Sequence, residues 1–378
     1  MFTSSILTLL LVGFQGSQDL SQVHQLTNPT ANCITNNLER LVDCFDKYTV
    51  GWEYYTQETY DTSQPTPSER TAWLDTIYDL LDVVDGDCLS VILPDTLRGI
   101  YTISQFKEDS TDTSYCVLSE VKGNGTQYDK GWGLFITPAT HVPYSSRHIH
   151  LSALHPWYDL YTPQQAAALF KSTNARSLLI AGRSRLALKE PTKCTPSPAK
   201  TTYYATDPAH NKEEPLYDAI RTIYRWQEQR HGCPSDRCAY IQFHGKGASA
   251  CRTDHIFISA GLGNDDDSKA WYDDNTRPAV RLRNALREAF PGWNVSTPAD
   301  SKCTLTATRN VVGRFLNGVR DEDVCTTSSN PSLVTGLFVH IEQAAVSRKS
   351  DSYEAWEWAL KKTFEPTGAK PARTKIDQ

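Results

Sequence analysis

The sequence predicts an α/β protein with three layers: a largely parallel, mixed sheet with helices on both faces, preceded by an N-terminal helical cap. Two observations support this fold class. From about residue 98, apolar segments of strand length alternate with amphipathic helical patterns, as in strand–helix–strand units. Before that point, apolar side chains recur mostly at helical spacing.

The first residues predict a secretory signal peptide. Ile6–Phe14 is a short apolar core, and the small residues Gly16 and Ser17 follow it; a disordered apolar N-terminus is the alternative. No later segment approaches the ~20 apolar residues that span a bilayer, so we expect no membrane anchor. The predicted parts are a signal peptide (1–16), the helical cap (17–97), the α/β domain (98–365) and a disordered tail (366–378).

The cap contains two clear helical patterns. Asn37–Phe45 and Glu69–Val84 both place apolar residues on one side of a helix. Thr66 and Pro67 precede the second pattern, and a capping threonine followed by a first-turn proline is a typical helix start.

Strands and helices then follow one another to the end of the chain. A capping Thr162 before Pro163 begins one of the helices, and a long loop over 187–215 separates two of the units. The predicted strands are Tyr101–Phe106, Tyr115–Val121, Trp132–Thr137, His148–Leu154, Ser177–Ala181, Ala239–Phe243, Ile256–Ser259, Cys303–Thr308 and Gly336–Ile341. The predicted helices begin at Thr162 and Leu216, and cover Pro278–Phe290, Val311–Leu316 and Ser352–Phe364.

Charge and cysteine content narrow the class of protein. The net charge of −6 argues against nucleic acid as a partner, because phosphate binding needs a basic surface. Ten cysteines without a C-x-x-C pair predict five disulfides in an oxidising compartment, and the pairing stays open. Asn124 and Asn294 begin glycosylation sequons. We expect a secreted, glycosylated monomer that binds neither nucleic acid nor membranes.

Three strands end in side chains that can bind metal or carry protons. His155 and Asp159 follow the strand His148–Leu154, and His244 closes the strand Ala239–Phe243. Ligands gather outside the carboxyl ends of parallel strands, and imidazole and carboxylate are normal zinc ligands. The alternative is that all three are ordinary turn or rim residues.

Glu342 ends an otherwise apolar strand, and an interior carboxylate is costly unless it is paired or functional. Beside a metal it can serve as a general base, whereas a salt bridge to Arg348 is the alternative. His340, two residues earlier, lies on the same face of the strand as Glu342. It can be a supporting hydrogen-bond donor or a core residue. Arg183, Arg185 and Arg309 are candidate ligands for a substrate carboxylate, or surface ion pairs.

Four segments together resemble a known family. They are His-Pro-x-x-Asp-x-x-Thr (155–162), Leu-Leu-Ile-Ala-Gly-x-x-Arg (178–185), Gln-x-His-Gly (242–245) and Phe-Val-His-Ile-Glu (338–342). Their order resembles the zinc-dependent carboxypeptidase-like amidohydrolases, nearest to the N-formylglutamate amidohydrolases and poly-γ-glutamate hydrolases. The resemblance covers roughly 130–365. The chain has Asp159 where the family usually has a glutamate at a somewhat different spacing.

The resemblance implies one zinc ion bound by His155, Asp159 and His244, with Glu342 as the catalytic base and Arg185 on the substrate carboxylate. The expected activity is hydrolysis of an amide or peptide bond in a small molecule or peptide. Two other functions stay open. The scaffold can serve a non-catalytic secreted binding protein, and Arg230-His231-Gly232 resembles the start of a histidine phosphatase signature.

Overall fold

The computed structural model describes residues 33–121, 126–142 and 145–368. The predicted signal peptide, Asn124 and residues 369–378 of the predicted tail lie outside the described residues.

Within the described ranges, nine strands form one mixed sheet in the order β1-β2-β3-β5-β4-β6-β9-β7-β8. The four central strands, β5, β4, β6 and β9, run parallel, and β1–β3 pair antiparallel to their neighbours. At the other edge, β7 is antiparallel to β9 and parallel to β8. The strands are β1 (Tyr101–Glu108), β2 (Thr113–Glu120), β3 (Leu134–Pro138), β4 (Arg147–Ala153), β5 (Ala175–Ile180), β6 (Cys238–Gly245), β7 (Ile256–Ser259), β8 (Val295–Ser296) and β9 (Phe338–Gln343).

Helices cover both faces of the sheet, which confirms the predicted α/β fold class. Alternate residues of β6 point to opposite faces: Ala239 and Ile241 belong to one core, and Cys238 and Tyr240 to the other. Helices α1, α4, α7 and α9 pack on the first core, and α3, α5 and α8 on the second. The helices are α1 (Leu38–Asp46), α2 (Gln57–Ser63), α3 (Pro67–Asp82), α4 (Thr162–Thr173), α5 (Pro215–Arg230), α6 (Asp266–Trp271), α7 (Pro278–Ala289), α8 (Val311–Leu316) and α9 (Tyr353–Thr363).

Helix starts follow the sequence signals with one correction. Thr66 and Glu69 form a reciprocal capping box at α3. Thr162, predicted as the cap of α4, is instead its first residue, because its hydroxyl donates to the Asp159 carbonyl at 2.7 Å. Tyr161 takes the cap position with φ of 72°, a left-handed conformation that is uncommon for a bulky side chain.

Two other expectations differ from the structure. The predicted strand Cys303–Thr308 is wrong: the segment is irregular and ends in a turn at 308–309. Side chains take two of its carbonyls, since Asn264 donates to Cys303 O and Ser259 to Thr306 O. The residue pair Val295–Ser296 forms the edge strand beside β7 instead.

Five disulfides are formed, as the even cysteine count predicts. They join Cys33–Cys44, Cys88–Cys116, Cys194–Cys325, Cys233–Cys238 and Cys251–Cys303. Among the described residues, no helix combines the length and apolar character that crossing a bilayer requires.

Candidate metal centre

The predicted site residues meet at one edge of the sheet because their strands are parallel neighbours. His155 follows β4, and His244 and Glu342 lie opposite each other on β6 and β9. Arg185 follows β5 on the other side of β4. Since the carboxyl ends of parallel strands share an edge, these four side chains reach one region from distant parts of the sequence.

A single turn after β4 places Asp159 beside His155. The backbone N–H of Asp159 donates to the His155 carbonyl at 2.8 Å, so residues four apart lie on one side of the turn, as in a helix. Pro156 follows His155 and ends the strand pattern. Trp157 then takes a φ of 64°, which turns the chain back toward α4.

Three donor atoms converge in this turn and on β6. The Nδ1 atoms of His155 and His244 are 3.1 Å apart, and they lie 3.1 and 3.2 Å from Asp159 Oδ2. All three side chains are buried. The donors form a nearly equilateral triangle, a spacing that suits three ligands of one small cation.

The hydrogen bonds on the far side of each ring decide what the triangle can bind. His155 Nε2 lies 3.0 Å from Asp207 Oδ1, which can only accept, so this nitrogen carries the proton. His244 Nε2 lies 3.5 Å from Gln242 Oε1, an oxygen already fixed by a bond from Asn310 at 2.8 Å. These partners favour the tautomers in which each Nδ1 offers a lone pair to a metal. Three converging acceptors fit a divalent metal, and the nitrogen and oxygen set fits zinc.

The electrostatics of the triangle agree with a cation site. Burial opposes ionisation of Asp159, yet the neighbouring His155 and His244 hold the pKa of its carboxyl well below the usual range. Burial lowers the pKa of His244 to about 4, which keeps this imidazole neutral. Burial and Arg185 act to lower the pKa of His155, but Asp207 and Asp159 raise it overall.

Glu342 lies beside the triangle and is half-buried. Burial and, next, the charge of Asp159 raise the pKa of the Glu342 carboxyl to about 8. Its Oε1 is 3.6 Å from His340 Nε2, and the His340 ring packs against His244 with centroids 4.6 Å apart. His244, His340 and Glu342 thus form a second close group of possible ligands.

Sequence reasoning missed Asp207, which orients several residues of the site. Besides His155, this buried carboxylate accepts from Arg185 and lies 3.0 Å from His210 Nδ1. Arg185, His210 and His155 lower the pKa of Asp207 despite its burial. The only available signal was an Asp and a His three residues apart in the long loop 187–215, which had no strand or helix to place them.

A cavity of about 530 Å³ opens over the triangle. His155, His244 and Glu342 line it together with Arg185 and Arg309. Residues 304–310 form one wall and the loop residues Thr201, Tyr203 and His210 form another. The volume is in the range of small-molecule and peptide sites.

Two predicted residues lie elsewhere. Arg183 is buried in a separate network with Glu214 and the Gly131 carbonyl, against the rings of Tyr55 and Tyr60. His231, from the phosphatase-like tripeptide, follows α5 and stacks on His148 at the amino end of β4. His155 follows the opposite end of the same strand.

No protein-family model and no curated protein matches the chain. Among solved structures, it is similar to succinylglutamate desuccinylase from Vibrio parahaemolyticus, at 13% identity over 75% of this chain and 79% of that one, with a TM-score of 0.31. It is also similar to carboxypeptidase A from Helicoverpa armigera, at 12% identity over 79% and 72%, with a TM-score of 0.33. At such identities and TM-scores, activity does not transfer from those proteins to this chain.

Proposed function

We propose that this protein is a secreted zinc-dependent hydrolase that cleaves an amide or peptide bond in a substrate with a free carboxylate. One observation carries the proposal. The Nδ1 atoms of His155 and His244 and the Asp159 carboxylate converge within 3.2 Å at a cavity that Glu342 also lines.

His155, Asp159 and His244 would hold one zinc ion, because three protein ligands are the set that catalytic zinc sites use. When bound, the metal supplies a Lewis acid that polarises the substrate carbonyl and makes water a stronger nucleophile at neutral pH. Asp207 fixes the ring of His155 from behind, and such partners of a ligating histidine set its orientation and basicity.

Glu342 moves the proton. Its carboxyl is half-buried at the cavity with His340 Nε2 3.6 Å away, and burial raises its pKa above the usual value, as suits a group that exchanges protons near neutral pH. As a carboxylate it accepts a proton from the attacking water, and as the acid it passes that proton to the leaving amine.

Arg185 and Arg309 would bind the substrate carboxylate. Arg185 lines the cavity beside His155, while one of its amino groups is held by Asp207. Arg309 lies on the cavity wall, where the Pro196 carbonyl accepts from it at 3.4 Å. Guanidinium groups bind carboxylates with paired hydrogen bonds, so these two residues favour acidic or carboxyl-terminal substrates.

Secretion is part of the proposal. The five disulfides need an oxidising compartment. Asn294 is exposed at the end of a loop, where an oligosaccharyltransferase can reach it, and Asn124 is the second proposed glycosylation site.

The test combines metal content with turnover of an amide library. We expect about one zinc per chain in the wild type and in Glu342→Gln, with the rate of Glu342→Gln reduced by ~10²–10⁴-fold. His155→Ala and His244→Ala should lose the zinc, and the exposed Glu322→Gln should behave as wild type. Wild-type turnover in Glu342→Gln would exclude its role as the base. A zinc-loaded protein without any turnover would instead indicate a secreted binding protein.

A further inference from the structure

A second concave surface lies behind the turn that carries the metal-site residues. It is lined by the aromatic rings of Trp52, Tyr54 and Trp157 together with Leu160 and Asp46, and it encloses about 690 Å³. We call it the aromatic basin. Trp52 is 58% exposed, Tyr54 47% and Leu160 56%. Exposed apolar residues that cluster in this way are uncommon on a protein surface unless they bind something.

The basin is rigid on its inner side. Trp157 Nε1 donates to the Asp46 carbonyl at 2.8 Å, which fixes the ring, and the backbone of Trp157 has a left-handed φ of 64°. A Cβ on Gly51 would lie 2.9 Å from the Trp157 ring, so only glycine allows this close approach. A bulky residue held in a strained conformation is often found at a ligand site.

Its outer side is fixed to the metal-site framework. The backbone N–H of Glu53 donates to Leu186 O at 2.8 Å, and that of Tyr55 donates to Ala187 O at 2.9 Å. These acceptors directly follow Arg185. Trp52 and Tyr54 therefore project from a segment that is anchored on both sides, and the basin keeps its shape without a ligand.

Asp46 gives the basin a negative charge. Its carboxylate accepts from Thr49 at 3.2 Å and from Gln164 at 3.3 Å, and among the described residues no cationic side chain forms an ion pair with it. Burial is the main cause that raises the pKa of Asp46 to about 6, and the carboxylate of Asp43 adds to it.

These features favour a cationic ligand over an apolar one. Aromatic faces attract ammonium and guanidinium groups, and a carboxylate beside them adds an ion pair. A purely apolar side chain would bury the Asp46 carboxylate further without giving it a partner, which is costly.

The basin is also next to the cleft. Trp157 lies between His155 and Asp159 in the sequence. The guanidinium of Arg185 lies over the ring of the following residue, Tyr158, with its Cζ 5.1 Å from the ring centroid. One turn of backbone therefore separates a ligand in the basin from the cavity over the metal-site residues.

We propose that the aromatic basin binds the lysine or arginine side chain of a peptide substrate and thereby positions the chain across the cleft. The proposal rests on the hydrolase function proposed above. The substrate would then have two recognised groups: a carboxylate bound by Arg185 and Arg309, and a basic residue near the scissile bond.

Binding to a variant that cannot turn over substrate tests the basin directly. The probes are acetylated alanine tripeptides with a single lysine, arginine, norleucine or phenylalanine at each position, titrated into zinc-loaded Glu342→Gln and followed by tryptophan fluorescence and calorimetry. At one position of the tripeptide, the peptides with lysine or arginine should bind at least tenfold more tightly than the peptide with norleucine. Tighter binding of norleucine or phenylalanine, binding of oligosaccharides alone, or no binding would overturn the proposal.

Matched variants locate the effect. Asp46→Asn should weaken the lysine peptide about tenfold and leave the norleucine peptide unchanged, while Asp43→Asn, which removes a neighbouring charge outside the basin, should change neither. Trp52→Leu should weaken binding, whereas Trp358→Leu, at a similarly exposed tryptophan on α9, should not. If Asp46→Asn and Asp43→Asn weakened binding equally, the general surface charge and not the basin would be what attracts the lysine peptide.

The two proposals fail separately. Lysine-dependent binding without turnover of any amide would keep the basin and exclude the hydrolase. Turnover by wild-type protein with no preference for a basic residue would keep the hydrolase and exclude the basin.

Discussion

Asp207 is a buried carboxyl group and Glu342 a half-buried one at the metal centre, and their surroundings act on them in opposite ways. Arg185, His210 and His155 surround Asp207 and lower its pKa well below the usual range despite burial. Glu342 has no such cation within hydrogen-bond distance among the described residues, and burial raises its pKa to about 8. A pair of acids whose pKa values are driven apart is typical of sites where one group orients and the other moves protons.

The role of Asp207 can be tested at the residue scale. Asp207→Asn keeps the size of the side chain but removes the charge behind His155, so we expect zinc affinity to fall by ~10–100-fold. Competition with a chelator measures the affinity. Asp300→Asn, at a carboxylate that pairs with Arg283 elsewhere, is the control and should leave affinity unchanged. Equal zinc affinity in Asp207→Asn and wild type would contradict the orienting role.

Glu342 should also make the stability of the metal-free protein depend on pH. Its pKa rises from 4.5 in the unfolded chain to about 8 in the folded protein, so the folded state binds the proton more tightly. This stabilising contribution is complete below about 4.5 and is lost as the pH rises through about 8. Relative to Glu342→Gln, the free energy of unfolding of metal-free wild type should therefore fall with rising pH. Urea titrations of both proteins at a series of pH values measure the difference. If the free energy of unfolding changed with pH in the same way in both proteins, the pKa of Glu342 would not be raised.

At the scale of elements, backbone hydrogen bonds at helix ends explain why the cap helices begin where they do. Thr66 and Glu69 satisfy each other's backbone N–H groups at the start of α3, at 3.3 and 2.7 Å. The turn before α4 works differently, because the Thr162 hydroxyl donates to Asp159 O and thereby steadies the residue that faces the metal site.

Removing the α3 cap should cost stability without affecting the site. Thr66→Ala leaves the Glu69 N–H without its acceptor, so we expect the free energy of unfolding to fall by about 0.5–2 kcal/mol. Thr71→Ala removes the same atoms from an exposed position inside the same helix and serves as the control. Thermal and urea unfolding measure both variants. A loss in Thr71→Ala as large as in Thr66→Ala would show that the cap is not the cause.

At the scale of the whole molecule, disulfides join the segments that form the cavity walls to other loops. Cys194–Cys325 joins the loop that carries Asp207 to the segment after α8, closing a separation of 131 residues. Cys251–Cys303 similarly anchors the segment that leads into the wall at 304–310. The loops over the site are therefore fixed by covalent bonds in addition to local backbone pairing such as the Pro191–Tyr204 bridge.

The longest disulfide loop should contribute most to stability. In the chain-entropy view, a bridge across 131 residues stabilises by about 5 kcal/mol and one across 5 residues by about 2 kcal/mol. The double variant Cys194→Ala/Cys325→Ala should thus lose roughly 3 kcal/mol more than Cys233→Ala/Cys238→Ala. Denaturant unfolding of both variants measures the difference. A larger loss in the second variant would show that local packing, and not loop closure, dominates.

The sequence by itself determined the fold class and the three strands that carry the site. Apolar runs that stop at His155, His244 and Glu342 mark strands whose last residues must leave the core, and neighbouring parallel strands bring such ends together. The even cysteine count likewise determined five disulfides. These signals are local, because they depend on backbone preference and on which side of an element is buried.

Only the tertiary structure decided which side chains face the cavity. Arg183 and Arg185 are two residues apart and equally basic, yet one is buried against Glu214 and the other lines the site. Asp207 lies in a long loop whose path is set by the Cys194–Cys325 bridge and by packing against distant segments. Such contacts join residues far apart in the sequence, and no local pattern records the packing that brings them together.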